Sequence, residues 1–225
     1  MALCYASCSK DFRGDMLAVG DDLIGRIGAR LLAHPDPVDD EGAFMPDWTP
    51  EEPFGRPPVP AAVLIALIAR PQGYTVLYTE RAASLRNHSG QIAFPGGKID
   101  PTDDDAAAAA LREAEEEVAL APAEAQVLGY LPNYFTGTNY LITPVVALVV
   151  PTAPFIPNPG EVASVFEVPL KLLAHRENYL TMRIKRGGVE HTTWQIDHDG
   201  RRIWGITANL TRRFFDLALS GELEW

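Results

Sequence analysis

Residues 103–120 run Asp-Asp-Asp, five alanines, Leu-Arg-Glu-Ala-Glu-Glu-Glu-Val-Ala-Leu, and no other stretch constrains the fold as tightly. The alanines Ala106 to Ala110 have the highest helix propensity of any residue, and acids ahead of them suit the positive N-terminal end of a helix. At about 100° per residue, Ala107, Leu111, Ala114 and Val118 gather on one side. Glu113, Glu116 and Glu117, spaced i, i+3, i+4, gather on the other, and Glu115 falls outside that group. The pattern predicts a helix from Asp103 to Leu120 that buries one side on a sheet and presents three carboxylates on the opposite side. Arg112 flanks Glu116 and is expected to hold it by a charge-assisted hydrogen bond.

Like charges this close repel by roughly a few tenths of a kcal/mol per pair. Hard divalent cations relieve that repulsion, taking carboxylate oxygens together with substrate phosphate oxygens. The plain alternative is a solvated acidic face, the commoner state of a glutamate-rich helix. What precedes the helix shifts the balance. Gln91 to Phe94 reads as a short strand leading into Pro95-Gly96-Gly97, a tight turn where backbone can approach a ligand closely. Strand, Gly-Gly turn and acidic helix in one unit have the architecture of a site.

The rest of the chain supplies the sheet. Ala61 to Ala69 reads as a buried strand, and Tyr74 to Thr79 follows a Pro-Gln-Gly turn to complete a hairpin. Further strands are predicted over Val127–Thr136, Ile142–Val150 and Ser164–Val168, the last running into a short helix over Leu170–Ala174. Tyr179–Lys185 and Thr192–Ile196 pair around Gly187-Gly188, and Thr207–Leu219 forms a C-terminal helix. Strands outnumber helices without strict alternation, so the class is α+β. Ahead of this, Leu17–Ala33 carries apolar residues at helical spacing, and Pro35–Pro60 is an extended Pro- and acid-rich connector that Trp48 and Phe54 are expected to pin down. This divides the chain into an N-terminal helix with a Pro-rich extension over 1–60 and a main domain over 61–225.

Composition narrows the function. The net charge of −11 argues against a protein that grips a nucleic-acid backbone. No apolar run reaches the ~18 residues of a membrane span. The N-terminus carries no basic start followed by a long apolar stretch. Cys4 and Cys8, with no adjacent His, make a poor zinc site, and low cysteine use fits a reducing cytoplasm, the expected location.

The residues around the helix resemble the Nudix box, in which a Gly and an acid precede Arg-Glu-hydrophobic-x-Glu-Glu-x-Gly-hydrophobic. Here Gly97 and Asp103 precede Arg112-Glu113-Ala114-Glu115-Glu116-Glu117-Val118-Ala119-Leu120. Asp103 stands where Glu is usual, one extra residue separates it from Arg112, and Ala119 replaces the usual Gly. A longer stretch, with Arg81, Leu85, Arg86, His88 and Gly90-Gln91-Ile92-Ala93-Phe94-Pro95-Gly96-Gly97-Lys98-Ile99-Asp100, is similar to the coenzyme A diphosphatase branch, which also carries the extra residue. Asn158-Pro-Gly-Glu161-Val162, Phe166 to Leu170 and Ile203 to Ala208 extend the likeness to roughly Ala61–Leu219.

The resemblance implies an α/β/α sandwich around a mixed sheet and metal-assisted hydrolysis of a diphosphate bond, with coenzyme A giving 3′,5′-ADP and 4′-phosphopantetheine. It implies that Glu113, Glu116 and Glu117 ligate Mg²⁺ or Mn²⁺, that the Gly97 carbonyl adds a ligand, and that Arg112 orients Glu116. For the general base, Glu161 in its Pro-Gly loop and the box residues Glu113 and Glu116 all stay open. Arg81, Arg86 and Lys98 are candidates to receive substrate phosphates, including a 3′-phosphate, with His88 and Gln91 ordering the loop over the site. The expected partner is a coenzyme-A-like nucleotide, with no nucleic acid and no membrane, and the superfamily suggests a homodimer. Two other readings compete: hydrolysis of another nucleoside diphosphate derivative (NADH, ADP-ribose, a dinucleotide), and a non-catalytic binding module, for which Asp103 and Ala119 are the support.

Overall fold

The computed structural model describes residues 22–37, 55–84, 90–186 and 189–220. Residues 22–28 form a helix, α1. Two long strands follow, β1 (Val59–Arg70) and β2 (Gly73–Arg81), then two short ones, β3 (Ile92–Ala93) and β4 (Gly96–Lys98). Helix α2 (Ala106–Val118) leads through a 3-10 turn to β5 (Ala125–Tyr130), β6 (Tyr134–Phe135) and β7 (Tyr140–Val149). The chain continues with β8 (Val162–Pro169), α3 (Leu170–Leu173), β9 (Leu180–Arg186), β10 (Val189–His198), β11 (Arg201–Trp204) and α4 (Ile206–Phe214), which ends in a π-helical turn over Phe215–Leu219.

The first eight strands make one mixed sheet. Its centre is the parallel pair β1–β7, in register from Val59 opposite Tyr140 to Ile68 opposite Val149. All its other pairings are antiparallel, with β2 carrying β8 on its outer side and β5 closing the far side of β7. The sheet has a core on each face. On one face the small side chains Ala106, Ala107, Ala109, Ala110 and Ala114 let α2 lie close on Leu64, Ala66, Leu77, Val145 and Ala147. On the other, α4 and α1 pack with Tyr78, Leu67, Val146 and Val168, together with Ile196 and Ile203 of a second, three-stranded sheet β11–β10–β9. The layering is thus helix, sheet, and a mixed layer of helix and small sheet. The α+β class and the mixed central sheet hold.

Several boundaries differ from the sequence reading. The stretch Val127–Thr136 is not one strand. It breaks at 131–133, where buried Asn133 donates to the carbonyls of Asp36 and Pro37 and accepts from the Thr143 hydroxyl at 2.9 Å. Those side-chain bonds compete with ladder bonds and turn the chain. Strand β11 was absent from the prediction, since four residues with two arginines carry no period-2 signal. The N-terminal helix is short where described, and Leu32 instead exchanges both backbone bonds with Tyr130 at 2.9 Å. Fully buried Ile27 and the Arg30 bond to the Ser220 carbonyl tie residues 22–37 into the domain ahead of residue 61. Trp48, Phe54 and the Gly187-Gly188 turn lie outside the described residues. Among the described helices, none is long and apolar enough to cross a membrane.

Candidate active site

The site is assembled where β4 and the end of β2 meet α2. The Asp105 side chain caps α2 by accepting from the Ala108 N–H at 2.8 Å. Asp103 is not at the helix start as expected. It accepts the Asp100 N–H at 2.8 Å in a small turn and faces Arg112. At its other end α2 stops because Ala119 adopts φ 56°, ψ 33°, its N–H returning to the Glu115 carbonyl at 3.0 Å.

Gly96 and Gly97 pair with Val63 and Ala62 of β1. Each has a reason to lack a side chain. A Cβ on Gly96 would collide with the Ala62 carbonyl and come to 2.7 Å from the Val63 Cα. A Cβ on Gly97 would fall on the Glu113 carboxylate, 2.7 Å from its Oε2. The Gly-Gly pair, expected as a tight turn, instead forms strand β4 and serves two purposes: one glycine admits the neighbouring strand, and the other admits the Glu113 carboxylate.

The three glutamates sit at graded depth. The Glu117 residue is 3% exposed, whereas the Glu113 and Glu116 side chains are 16% and 53% exposed. This corrects the expectation that Glu117 shares an open face. Arg81 lies against its carboxylate at 4.0 Å and the Gly96 N–H donates to it, while Ile156 and Asn158 bond to the last carbonyls of α2. Glu115 is exposed, as expected.

Arg112 is also placed differently from the sequence reading. Its firmest grip is on Asp103, Nε to Oδ1 at 2.9 Å and Nη2 to Oδ2 at 3.0 Å, because the planar Nε–Nη2 edge matches a carboxylate. Nη2 also donates to the Lys98 carbonyl at 3.2 Å and Nη1 to Glu113 Oε1 at 3.0 Å. Glu116, the expected partner, is held most weakly, at 3.5 Å.

Across from α2, the Glu161 carbonyl accepts the Ala82 N–H at 2.8 Å, which hangs the Pro-Gly loop beside the end of β2. Arg81 reaches Glu117 Oε1 at 4.0 Å, and its backbone exchanges bonds with Gln91 and Gly90 at 3.0 Å. Lys98 is exposed on β4. Arg86 and His88 lie outside the described residues. Asn158, for which the sequence suggested no role, makes one bond to the Glu117 carbonyl of α2 and three to N–H groups of the Glu161 loop and the start of β8, one of these through its side chain, and only its place before Pro-Gly hinted at it.

Burial pushes the Glu117 carboxyl up to about 8, with Arg81 opposing and Glu113 and Glu161 reinforcing the shift. Burial likewise raises Glu113, against the hydrogen bond from Arg112, with Glu116 and Glu161 adding to the rise. Asp103, bonded to Arg112, is held below the usual carboxylate range. Glu117 Oε2 and Arg81 Nε are both buried with no hydrogen-bond partner. A buried orphan carboxylate oxygen, with the carboxylates of Glu113 and Glu161 close enough to act on it and Arg81 on its other oxygen, fits a hard divalent cation. Among the described residues no three of these groups converge at ligand distance as they stand, and Arg112 competes for Glu113 and Glu116.

Residues 58–184, more than half the chain, match the family model of the NUDIX domain. The Escherichia coli (strain K12) protein named uncharacterized Nudix hydrolase NudL is 45% identical over 152 residues, covering 68% of this chain and 79% of that protein. Its namesake from Escherichia fergusonii is equally similar, at 45% over 152 residues. Among solved structures, a Caenorhabditis elegans Ap4A hydrolase binary complex is 20% identical over 50% of this chain and 81% of that one, with TM-score 0.41. The NUDIX domain of Shewanella oneidensis NrtR complexed with ADP ribose is 19% identical over 56% and 80%, also with TM-score 0.41.

The chain therefore belongs to the Nudix hydrolase family. It is a hydrolase acting on pyrophosphate bonds of nucleoside diphosphate derivatives, in a family that generally uses divalent metal ions.

Proposed function

We propose that this protein hydrolyses the diphosphate bond of coenzyme A or its acyl derivatives, giving 3′,5′-ADP and (acyl-)4′-phosphopantetheine, with Mg²⁺ or Mn²⁺ held by Glu113, Glu116 and Glu117 and the Gly97 carbonyl. The observation that carries the metal-assisted part is Glu117, a buried carboxylate with one oxygen unbonded and two further carboxylates, Glu113 and Glu161, near enough to raise its pKa. The substrate part rests on the Arg81–Asp100 stretch, which is similar to the coenzyme A diphosphatase branch.

Bound divalent cations polarise phosphoryl oxygens and lower the pKa of water. The chain's own residues supply the rest. Arg112, gripped by Asp103, keeps Glu113 and Glu116 on the substrate side of α2. Arg81, with its unbonded Nε, is positioned to take phosphate oxygens at the end of β2. Glu161 approaches Glu113 and Glu117 from a separate loop and is the candidate to accept the proton of the attacking water. Lys98, and by sequence Arg86 and His88, complete the phosphate-facing group.

The test is direct. Purified protein with coenzyme A and Mg²⁺ or Mn²⁺ should release 3′,5′-ADP, and Glu116→Gln or Glu117→Gln should lower that release by orders of magnitude. A panel containing NADH and ADP-ribose separates this reading from hydrolysis of another nucleoside diphosphate derivative. Preference for either over coenzyme A would overturn the substrate assignment.

A further inference from the structure

The last carbonyls of an α-helix have no partner inside the helix. In α2 two of them are taken by the segment that precedes β8: Asn158 donates its N–H to the Glu117 carbonyl at 2.8 Å, and Ile156 to Val118 at 3.0 Å. Asn158 also closes the turn that follows, with two bonds to its carbonyl and one to its side chain. Its own carbonyl accepts from the Glu161 N–H at 3.0 Å and the Val162 N–H at 2.8 Å, and its Oδ1 accepts from the Gly160 N–H at 3.1 Å. The result is a closed turn over 158–161, anchored on one side to the backbone of Glu117. On the other side the Glu161 carbonyl ties it to Ala82, the residue after Arg81.

Resting on the metal-assisted reading above, we infer that Asn158 is a positioning residue: it sets Glu161 against Glu113 and Glu117. The alternative is that Asn158 only shapes a surface loop, as Asn before Pro-Gly commonly does. The two differ in energetics. A positioning residue acts through Glu161, so its effect disappears when Glu161 no longer carries charge. A loop-shaping residue acts independently, and its effect adds to that of Glu161. The side-chain chemistry also makes a prediction, because Asp keeps an oxygen where Asn has Oδ1 and Ala does not.

The experiment is a double-mutant cycle on the full chain, with Asn158→Ala, Asn158→Asp, Glu161→Gln and the Asn158→Ala/Glu161→Gln pair. It is read first by turnover of whichever of coenzyme A, NADH or ADP-ribose is cleaved fastest. Asn158→Ala should lower kcat about tenfold or more with KM within about twofold, and Asn158→Asp should stay within about threefold of the parent. The double variant should match Glu161→Gln within about twofold. Mn²⁺ affinity, measured by the spectrum of free Mn²⁺, supplies a second cycle that needs no turnover. There Asn158→Ala and Glu161→Gln should each weaken binding about threefold or more, and together no further. Losses that multiply in the double variant, Asn158→Asp failing as Asn158→Ala does, or an Asn158→Ala variant indistinguishable from the parent would each overturn the assignment. A chain that binds Mn²⁺ but cleaves none of the three substrates would overturn the proposed function alone, and the Mn²⁺ cycle would still decide for or against Asn158.

Discussion

Arg112 and Asp103 face each other in a two-bond fork, at 2.9 and 3.0 Å, nine residues apart in sequence. The fork anchors the guanidinium so that its remaining nitrogen meets Glu113 at 3.0 Å. The short Asp side chain suits this place because the turn from Asp100, closed by the Asp103 N–H at 3.0 Å, brings it up to the helix. Asp103→Ala should therefore act at a distance. Turnover and Mn²⁺ affinity should fall about 10- to 100-fold, the usual cost of losing a partner that orients a metal ligand. Circular dichroism should report an intact fold, and steady-state kinetics beside a Mn²⁺ titration check the rest.

The two glycines of β4 should respond differently to the same substitution. In Gly97→Ala the new methyl meets the far end of the Glu113 side chain, which can swing away, so activity should be lost with little change in melting temperature. In Gly96→Ala the methyl meets backbone of β1, which cannot move cheaply, and stability should drop by about 1–3 kcal/mol. Urea denaturation of both variants beside activity assays separates the outcomes.

The raised pKa of Glu117 carries a pH dependence whose sign is set by linkage. Its protonated form is favoured in the folded, metal-free protein. The stabilisation it contributes is fully present below the unfolded value of 4.5 and is lost as pH rises through about 8. A cation competes with that proton, so Mn²⁺ affinity should climb by up to about tenfold per pH unit and level off near pH 8. Titration calorimetry in buffers of different ionisation heat should find close to one proton released per bound ion at neutral pH. A flat affinity between pH 6 and 8 would show that the ion does not displace a proton from Glu117 in that range.

Ala119 occupies the left-handed region at the end of α2, where the Nudix pattern has Gly. A Cβ in that conformation costs about 1–2 kcal/mol. Ala119→Gly should raise stability by about 1 kcal/mol once the extra flexibility of an unfolded glycine is set against that relief. Its effect on turnover should be small, since the Ala119 N–H bond to Glu115 is kept. Thermal melts of the two proteins decide it.

Much of the site was legible in the chain because it depends on short-range spacing. The helix, expected over Asp103–Leu120 and found over Ala106–Val118, its buried stripe and the exposure of Glu115 all follow from a 3.6-residue period. Glu117 was misjudged because the same period says which side a residue faces and nothing about the other segments, here Arg81 and Gly96, that close against it. The partner of Arg112 was misjudged for a related reason. Asp103, Glu113 and Glu116 all lay within reach, and only the turn at Asp100–Asp103 brought one of them into bidentate geometry. Strand β11 was hidden because four residues with two arginines carry no alternation, although it pairs with the adjacent β10. The break at Asn133 was hidden because its side chain bonds to Asp36 and Pro37, far away in sequence.

The sequence alone determined that the chain builds an α+β domain and that a Gly-Gly pair precedes an acidic helix, and it nominated Arg112, Glu113, Glu116 and Glu117 as the candidate chemical centre. These follow from local periodicity and backbone chemistry. The tertiary structure decided the depth of each carboxylate, the grip of Asp103 on Arg112, the arrival of Glu161 on a loop hung from Asn158, and the docking of residues 22–37 on β5. All four depend on which distant segments meet, and that is settled by the burial of two faces of one sheet. No periodicity within either segment encodes it.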